Sequence, residues 1–544
     1  MLTSHTTKYN VLFKTTTINY ATIDKFSKTI IDYLDAAANI KPYYKYEVNI
    51  NTFKQIIEDK NYDNSTREIL SATLHQQYED LSITTPEVLS NLNLLKNENT
   101  YTVCTAHQLN LFTGPLYVVF KIVSCINLSK QLKAAYPAYN FVPVFWLGSE
   151  DHDLAEINHF NLFNKKVKWT TPQTGATGRM TLENISEVLE QTFQILGDST
   201  NASYLKKILN DCFTKNDTLQ NATTQFLNTL FGQYGLAIVN GDHHSLKKIF
   251  ITELQTELSE NIIEKQVTAS NEQFGQHYKI QAAPRAINLF YLKDALRERI
   301  IWNETANQFE VLNTNLRFTK TKMEEELQQH PERFSPNVLM RPLYQEKILP
   351  NLAYIGGGGE LAYWLQLKST FESFNINYPL LVLRNSAAFI DKKTVNKWAS
   401  LGFGLADFFN SENELSNIYI NKNEQNEVDF TKHLNKIQLL KSEILKDAQL
   451  IDEALNQPID SEFSKIEKSI NNLEQKFTRA TKRQHSDGLN QITSAINKVF
   501  PKGGLQERQD NFMQYYLKYG AAFFDLLFEH FDCLEQQFLV FEEE

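Results

Sequence analysis

Strand, helix and strand follow one another between residues 101 and 147. Tyr101–Thr105 is predicted as a short strand. Phe141–Leu147 is predicted as a buried one, because an apolar run that ends at a small residue is typical of buried strands. Between them, Gly114–Pro115 opens an apolar-periodic helix, LYVVFKIVSCINLSKQLKAA, since proline favours the first turn of a helix. Such a βαβ unit requires parallel strands and a right-handed crossover, so the sequence predicts an α/β fold.

The same order of elements recurs later in the chain. Leu352–Ile355 is predicted as a strand, glycines occupy positions 356–359, Glu360–Phe374 is predicted as a helix and Leu380–Arg384 as a further strand. The stretch between the two βαβ units alternates short strand-like and helical pieces, with a strand predicted at Leu236–Asn240. We interpret that stretch as an inserted connecting region.

From about residue 429, apolar side chains recur at coiled-coil spacing. Ile437, Leu440, Ile444, Ile451 and Leu455 lie three, four or seven positions apart, and Asn456–Asp460 has the composition of a turn. After Pro458 the spacing alternates between three and four, as in the a/d seam of a coiled coil: Phe463, Ile466, Ile470, Leu473, Phe477 and Ala480. The pattern predicts an antiparallel hairpin. We favour a protruding coiled coil over two core helices, because the outward positions are polar.

These patterns divide the chain into five parts. They are residues 1–160, an N-terminal helical region and the first half of the α/β core; 161–300, the inserted region; 301–428, the second half of the core; 429–500, the helical hairpin; and 501–544, an apolar C-terminal segment expected to pack on the body.

Charge and composition argue against several classes of protein. The formal net charge of −10 disfavours binding to nucleic acid or to an anionic membrane, which requires a basic face. No run of about 18 apolar residues exists, so no membrane span is expected, and the start MLTSHTTKYN lacks the order of a signal peptide. Four scattered cysteines without a CxxC pair are typical of a reduced, cytoplasmic protein.

Ionisable residues are densest directly after the Phe141–Leu147 strand, where open α/β sheets bind ligands. If a helix begins near Asp151, then His152, Glu156 and His159 share one face. Such a face either binds a divalent metal, or holds a substrate amine or ribose with acid/base catalysis, or is a solvated helix start. The candidate residues of this segment are Ser149, Glu150, Asp151, His152, Asp153, Glu156 and His159.

Three further segments place polar residues at strand ends or helix starts. In the loop before the first helix, backbone N–H groups favour an anion, although Thr113 alternatively only caps the helix and His107 only lies on the surface. The glycine run allows close backbone approach to a ligand, or is a flexible turn. Arg384 is expected either to grip a carboxylate or phosphate bidentately or to form a structural ion pair. The candidates are His107, Gln108, Asn110, Thr113 and Gly114; Arg341, Gln345, Gly357, Gly358, Glu360, Tyr363 and Trp364; and Arg384 and Asn385.

Five ordered blocks between about residues 100 and 510 resemble one family. The blocks QLNLFTGPLY, VPVFWLGSEDHDLAEINH, RPLYQEKILPNLAYIGGGGELAYW, LVLRNSA and PKGGLQERQDN are similar to those of the bacillithiol biosynthesis cysteine-adding enzymes, the BshC family. The resemblance implies a Rossmann-like core of the nucleotidyltransferase type, with connecting-peptide insertions and an α-helical coiled coil that supports a homodimer. It also implies a cytoplasmic ligase that joins L-cysteine to the amine of glucosaminyl-malate.

The chemistry of amide formation leads to a hypothesis for the roles of the candidate residues. Asp151, Asp153 or Glu156 is expected to hold the incoming ammonium, His152 or His159 to remove its proton, and Arg384 or Arg341 to grip the malyl carboxylates. ATP is expected as the activating cosubstrate, and no metal is expected. The loop reads His107-Gln-Leu-Asn110 without the second histidine of the nucleotidyltransferase HxGH motif, Gly358 departs from the family pattern, and no KMSKS-like loop is visible.

Two other functions stay open at this point. A metal-dependent hydrolase would use His152, Glu156 and His159 as ligands. An adaptor without catalysis would use the coiled coil to bind a partner protein. A synthetase remnant that binds tRNA is disfavoured by the acidic charge.

Overall fold

The computed structural model of the protein describes residues 13–423 and 430–544. The chain divides into two units. The first contains the chain up to Ala388 together with Gly504–Phe541, and the second contains Phe389–Gly503 and Glu542–Glu544.

Helices predominate in the described residues before the first predicted strand of the core. One strand comes first and four helices follow: β1 (Phe13–Asn19), α1 (Lys28–Leu34), α2 (Thr52–Asp59), α3 (Asn64–Asp80) and α4 (Pro86–Leu94).

The predicted βαβ unit is confirmed. It consists of β2 (Thr100–Gln108), α5 (Tyr117–Ala135) and β3 (Asn140–Gly148). The two strands are parallel, and their ends are in register, with Gln108 opposite Gly148. Helix α5 is apolar over most of its length because one of its faces packs on the sheet, where Cys125, Leu128 and Leu132 enter the core.

The inserted region combines short strands with helices. In chain order it contains α6 (Leu154–Ile157), β4 (His159–Leu162), β5 (Lys165–Lys168), α7 (Ile185–Leu196), α8 (Thr200–Thr214), α9 (Leu219–Phe231), β6 (Ala237–Asn240), α10 (His244–Ile249), α11 (Ile251–Glu260) and α12 (Ile262–Phe274). Strands β4 and β5 pair as an antiparallel hairpin.

A second, antiparallel sheet follows. Its strands lie in the order β10-β9-β8-β7-β11. The elements of this part are β7 (Leu289–Lys293), β8 (Leu296–Asn303), β9 (Gln308–Val311), β10 (Arg317–Phe318), α13 (Lys320–Gln329), β11 (Phe334–Pro336) and α14 (Arg341–Ile348).

The second predicted strand–helix–strand stretch is also present, with one difference. The elements are β12 (Asn351–Gly356), α15 (Gly358–Leu365), α16 (Lys368–Ser373), β13 (Leu380–Leu383) and β14 (Ser386–Ile390). The single helix predicted over Glu360–Phe374 is wrong. The helix is interrupted between α15 and α16, because the fully buried side chain of Gln366 accepts hydrogen bonds from the backbone amides of Gln281 and Ala282 at 3.0 and 3.3 Å.

The central sheet has the strand order β13-β12-β2-β3-β6 and is parallel throughout. Numbered along the chain and read from β6, its strands lie in the order 3-2-1-4-5, which is the Rossmann order 3-2-1-4-5-6 without its last strand. The predicted Rossmann-like core is confirmed. The direction of winding reverses between β2 and β12. In such sheets the crevice outside the carboxyl ends of the strands, at this reversal, is where ligands bind.

The second unit contains the predicted hairpin. Its helices are α17 (Lys392–Ser400), α18 (Glu412–Asn423), α19 (Phe430–Gln449), α20 (Asn456–Gln484) and α21 (Ser486–Val499). Helices α19 and α20 are antiparallel: Phe430 contacts Phe477 with ring centroids 5.3 Å apart, and Lys441 pairs with Asp460 at 2.8 Å.

The turn of the hairpin lies earlier than predicted. Asn456–Asp460 was predicted as the turn, but α20 begins at Asn456 and the chain reverses before it, where Asp452 accepts a hydrogen bond from the Ala454 amide at 2.9 Å. Proline in the first turn of a helix removes no helical hydrogen bond, so Pro458 does not terminate α20.

The C-terminal segment contains α22 (Phe512–Tyr519), α23 (Ala522–His530) and β15 (Gln537–Glu543). Residues Gly504–Phe541 belong to the first unit, where β15 pairs with β1. The side chain of Asn511 donates to the carbonyls of Phe112 and Gly114 at 3.0 and 2.7 Å, which ties this segment to the loop before α5. Within the described parts of the chain, no helix has both the length and the apolarity that crossing a bilayer requires.

Candidate active site

A cavity of about 580 Å³ opens at the carboxyl ends of β2 and β12, where the winding of the sheet reverses. All of its lining residues belong to the first unit. Ten of the residues predicted from the sequence line it: His107, Gln108, Asp151, Glu156, Arg341, Gly357, Gly358, Glu360, Tyr363 and Arg384. Segments more than 200 residues apart in the chain therefore meet in one cavity, as expected for strand ends of a parallel sheet.

The other predicted site residues lie outside this lining. They are Asn110, Thr113, Gly114, Ser149, Glu150, His152, Asp153, His159, Gln345, Trp364 and Asn385. Gln345 and Trp364 are fully buried beneath the cavity wall, and Asn385 donates to the carbonyl of Asp532 at 3.0 Å. Ser149 is buried and bonds to Asn240 at 2.6 Å.

Sequence analysis missed two cationic residues of the lining, Lys121 and Arg508. Lys121 is 1 % exposed, and its ammonium donates to the carbonyl of Ala106 at 2.9 Å and forms an ion pair with Glu360. A lysine inside the apolar run YVVFKIVSCIN was the available signal, because an isolated buried lysine requires a partner.

Glu360 is the acceptor at the centre of this wall. One carboxylate oxygen accepts from the Tyr354 hydroxyl at 2.8 Å, and the other accepts from the Gly357 amide at 2.9 Å and faces Lys121. Burial raises the pKa of Glu360, but the charge of Lys121 and these hydrogen bonds outweigh burial and hold the pKa at about 2. The Gly357 amide lies at the start of α15, where the helix dipole favours negative charge. This amide already donates its hydrogen bond to the protein's own Glu360 carboxylate.

His107 lies on β2 within the cavity and is neutral. Burial and the neighbouring Lys121 charge lower the pKa of His107 to about 3. Lys121 lies 3.4 Å from Nδ1, which makes Nδ1 the acceptor and leaves the proton on Nε2, 3.4 Å from the Tyr117 hydroxyl. A histidine with this pKa is a poor proton acceptor at neutral pH.

Arg384 is held in place by the protein, and both of its terminal nitrogens already have protein partners. Its Nη2 pairs with Glu507 at 2.6 Å, and its Nη1 donates to the Asn385 carbonyl and the Ser386 hydroxyl, both at 2.9 Å. The structural ion pair, the alternative prediction for Arg384, is the arrangement found. Both partners are buried, and the pKa of Arg384 is raised because the Glu507 carboxylate outweighs the effect of burial.

Arg341 and Arg508 differ from Arg384 in having no carboxylate within ion-pair distance among the described residues. Arg341 donates to neutral groups, Gln345 at 2.9 Å and the Tyr363 hydroxyl at 3.2 Å. Arg341 lines the cavity, as does the exposed Arg508. These two guanidinium groups are therefore the cations with charge available to an anionic ligand.

The helix begins later than Asp151 and is too short to reach His159. Asp153 caps α6, which is a single turn, Leu154–Ile157, and His159 already begins the strand β4. His152, Glu156 and His159 consequently share no helical face. Within residues 13–423 and 430–544, no group of three metal-ligating side chains is arranged to hold an ion. The geometric basis for the metal-dependent hydrolase is therefore lost.

The residues of this segment have separate roles in the structure. Glu150 forms an ion pair with the fully buried Lys247 at 2.8 Å. His152 accepts from Arg297 at 2.7 Å, and its pKa is lowered by burial and by that guanidinium. His159 contacts Asn158, and burial likewise lowers its pKa.

Asp151 and Glu156 form the acidic part of the cavity. Asp151 is 38 % exposed, and its carboxylate lies 3.7 Å from Arg297. Glu156 is exposed and accepts from Gln108 at 3.0 Å, so its negative charge is not paired with a cation. The cavity thus combines the unpaired carboxylate of Glu156, the carboxylate of Asp151 beside Arg297, and two guanidinium groups without a carboxylate partner. This set of charges suits a ligand that carries both an ammonium and carboxylates.

The loop before α5 is packed within the protein. The amides of Gly114 and Leu116 donate to the carbonyls of Leu111 and Asp510 at 2.8 and 2.7 Å. Thr113 is not the helix cap, because its hydroxyl is buried without a hydrogen-bond partner. Asn110 is buried beneath Gly114, whose φ of +59° and close contact with Asn110 require glycine.

Two family models together match nearly all of the described residues. The model of the bacillithiol biosynthesis BshC N-terminal Rossmann-like domain matches residues 13–385, and that of the BshC C-terminal coiled-coil domain matches residues 387–543. The predicted architecture is thereby confirmed.

Relatives named cysteine ligase BshC are similar over nearly their full length. The protein of Flavobacterium johnsoniae is 42% identical over 96% of this chain and 98% of its own. That of Flavobacterium psychrophilum is 40% identical over 96% and 98% of the two chains. That of Bacillus mycoides is 28% identical over 92% and 95%.

Proposed function

The chain belongs to the BshC family of bacillithiol biosynthesis, and on that premise we propose that it is a cysteine ligase that joins L-cysteine to the amine of glucosaminyl-malate. The observation that supports this substrate is the distribution of charge in the cavity. Asp151 and Glu156 offer carboxylates to an amine, and Arg341 and Arg508 offer guanidinium groups to carboxylates. Glucosaminyl-malate carries both kinds of group.

The reaction forms an amide bond between the cysteine carboxyl carbon and the glucosamine nitrogen. One oxygen leaves the cysteine carboxyl group on the phosphoryl or adenylyl group that the activating cosubstrate would supply. The ammonium loses one proton before its nitrogen attacks and a second proton after the bond has formed. Amide formation from a free carboxylate is uphill in water, so the carboxylate requires activation, and we propose ATP as the cosubstrate that provides it. The 580 Å³ cavity lies within the size range of ligand sites.

Asp151 and Glu156 are proposed to hold the glucosamine ammonium, and Glu156 to accept its proton. Glu156 lines the cavity, is exposed and carries no paired cation. His152 is a weaker candidate for the base, because its Nδ1 lone pair faces Arg297 at 2.7 Å and the neutral ring then carries its proton on Nε2.

Arg341 is proposed to bind the malyl carboxylates, with Arg508 as its partner. The charges of their partners support Arg341 over Arg384, the two arginines considered in the sequence. Arg384 is already neutralised by Glu507 at 2.6 Å, whereas the partners of Arg341 are neutral. A guanidinium with free donors binds carboxylates strongly.

Changing Glu156 to glutamine is expected to lower the rate of thiol formation about 100-fold, because positioned proton transfer by a side chain contributes on the order of 10²–10⁴ in rate. The measurement is incubation with glucosaminyl-malate, L-cysteine and ATP, or without nucleotide, with the product read by mass. Asp153→Asn is the matched control, since Asp153 caps α6 outside the cavity and asparagine is an equally good cap. Wild-type activity in Glu156→Gln would exclude this role, and product formation without nucleotide would exclude ATP.

We also propose that the chain forms a homodimer through the hairpin of α19 and α20. Several large apolar side chains on the hairpin are exposed, including Leu439 at 66 %, Leu450 at 86 % and Ile451 at 79 %. An exposed apolar row on an otherwise polar hairpin marks an interaction surface, and the closed symmetry of most oligomers makes a second copy the simplest partner.

The dimer proposal is tested by substitutions at the end of the hairpin. Leu450→Glu together with Ile451→Glu is expected to convert the dimer to monomer at micromolar concentration, because two desolvated charges would lie in the interface. Light scattering coupled to gel filtration gives the mass. Lys446→Glu, in the last turn of α19, is the control for charge alone. A monomeric wild-type protein contradicts the proposal.

A further inference from the structure

Gly357 has no side chain and therefore leaves a space in the cavity wall, although its backbone conformation does not require glycine. The residue joins β12 to α15 with φ −80° and ψ 167°, a conformation open to any amino acid. A Cβ at this position would lie 3.4 Å from a carboxylate oxygen of Glu360 and 3.7 Å from Nε of Arg384. We call this space the Gly357 slot. It is open to the cavity, which Gly357, Glu360 and Arg384 all line.

One wall of the Gly357 slot is a donor without an acceptor. Arg384 is 4 % exposed, and Glu507, Ser386 and the Asn385 carbonyl hold its two terminal nitrogens. Its Nε is buried and has no hydrogen-bond partner. A buried polar group without a partner is costly, so an N–H in this position calls for an acceptor supplied by a ligand.

The other wall is an acceptor. Glu360 is 24 % exposed on its side chain, and its carboxylate stays ionised through Lys121, Tyr354 and the Gly357 amide. Each full charge around the slot has its own partner of opposite sign, Arg384 with Glu507 and Lys121 with Glu360. An anionic oxygen placed in the slot would meet the Glu360 carboxylate without an uncompensated cation to offset the repulsion.

We propose that the Gly357 slot binds a neutral hydroxyl group of the substrate. The hydroxyl oxygen accepts from Arg384 Nε–H, and the hydroxyl proton is donated to Glu360. Only a group that both accepts and donates satisfies the two walls, and both bonds are strengthened by a charged partner. The inference rests on the proposed function, under which the glucosamine ring supplies the hydroxyl, and it assigns the sugar to this wall and the malyl carboxylates to Arg341.

The first test fills the slot. Gly357→Ala places a methyl group at ordinary contact distance from both walls, without backbone strain, so the fold is expected to be kept. Binding of glucosaminyl-malate, measured by calorimetry, is expected to weaken about 10- to 100-fold, the effect of losing hydrogen bonds to charged groups. Gly404→Ala is the matched control, because Gly404 also precedes a helix in an extended conformation and lies outside the cavity lining, and its Cβ would meet only Asp407 at 3.8 Å. Its binding is expected to stay within about twofold.

The second test removes the hydroxyl instead. Among monodeoxy analogues of glucosaminyl-malate, one is expected to bind the wild type about 10- to 100-fold more weakly than the parent. Gly357→Ala is expected to bind that analogue and the parent equally. If Gly357→Ala binds the parent as the wild type does, or if every analogue binds within about twofold of the parent, the slot assignment is overturned and the proposed function stands. If the wild type does not bind glucosaminyl-malate, both are overturned.

Discussion

Replacing Lys121 by methionine is expected to lower the free energy of unfolding by about 3–5 kcal/mol, because it leaves the Glu360 carboxylate without its cation. Lys121 is 1 % exposed, and methionine fills the space of its stem. The loss is expected to depend on pH. The pKa of Glu360 in the folded protein is about 2, below its ordinary value, so the pair stabilises the fold at neutral pH and that stability is lost as the pH falls from about 5 towards 2. Urea unfolding at pH 7 and pH 4 measures both effects.

Two further variants separate the ion pair from packing. In the double variant Lys121→Met with Glu360→Gln, no buried charge is left alone, so about half or more of the lost stability is expected to return. Lys54→Met changes an exposed lysine of α2 and is expected to stay within about 1 kcal/mol of the wild type. If Lys121→Met unfolds at the wild-type urea concentration, the ion pair contributes nothing to stability.

The sheet was predictable from the sequence because its strands are locally encoded. Phe141–Leu147 is a continuous apolar run, and β3 is buried on both faces, as parallel strands are. Once two strands were joined by a helix of suitable length, parallel pairing followed. The strand order was not predictable, because β12 lies beside β2 through contacts some 250 residues apart along the chain, such as the bond from Thr105 to the Ile355 carbonyl.

The error after β3 came from reading helical spacing where a hairpin begins. His159 lies at helical distance from His152, but the next residues alternate, with Phe160, Leu162 and Val167 buried. The hairpin turns at Phe163 and Asn164, both with positive φ, as two-residue hairpin turns require. The alternation and the asparagine were visible in the sequence. They outweigh the helical spacing because burial of the alternating side chains stabilises the strand pair.

Strand-end candidates of the site were easier to predict than its ion pairs. His107 and Gln108 end β2, and Gly357 follows β12, so their positions followed from the strands alone. The partners that fix the chemistry lie on distant segments: Lys121 is paired with Glu360, and Arg384 with Glu507. A sequence pattern shows which residue types lie close together along the chain, but it does not show their partners on distant segments. The sequence therefore could not show that Arg384 is paired with a carboxylate and that Arg341 is not.

Replacing Arg341 by methionine is expected to raise the KM for glucosaminyl-malate about 100-fold while leaving the KM for cysteine within about threefold. Truncating one partner of a hydrogen-bonded charge pair costs about 2–5 kcal/mol, and 1.4 kcal/mol corresponds to a factor of ten. The reason is that Arg341 has only neutral partners in the protein, Gln345 and Tyr363, and therefore keeps its charge for the malyl carboxylates. Steady-state kinetics with each substrate varied in turn gives both constants.

A substrate without the malyl group completes the argument. Methyl glucosaminide keeps the amine and the sugar but lacks the carboxylates, so Arg341→Met and the wild type are expected to use it with equal kcat/KM, within about threefold. Equal kcat/KM values would show that the loss with glucosaminyl-malate belongs to the carboxylates and not to a disturbed cavity. Arg333→Met controls for removal of a guanidinium elsewhere in the first unit, since Arg333 pairs with Glu326 at 2.6 Å and lies outside the cavity lining. A comparable loss with both substrates would instead assign Arg341 a structural role, through the hydrogen bonds that it donates to Gln345 and Tyr363.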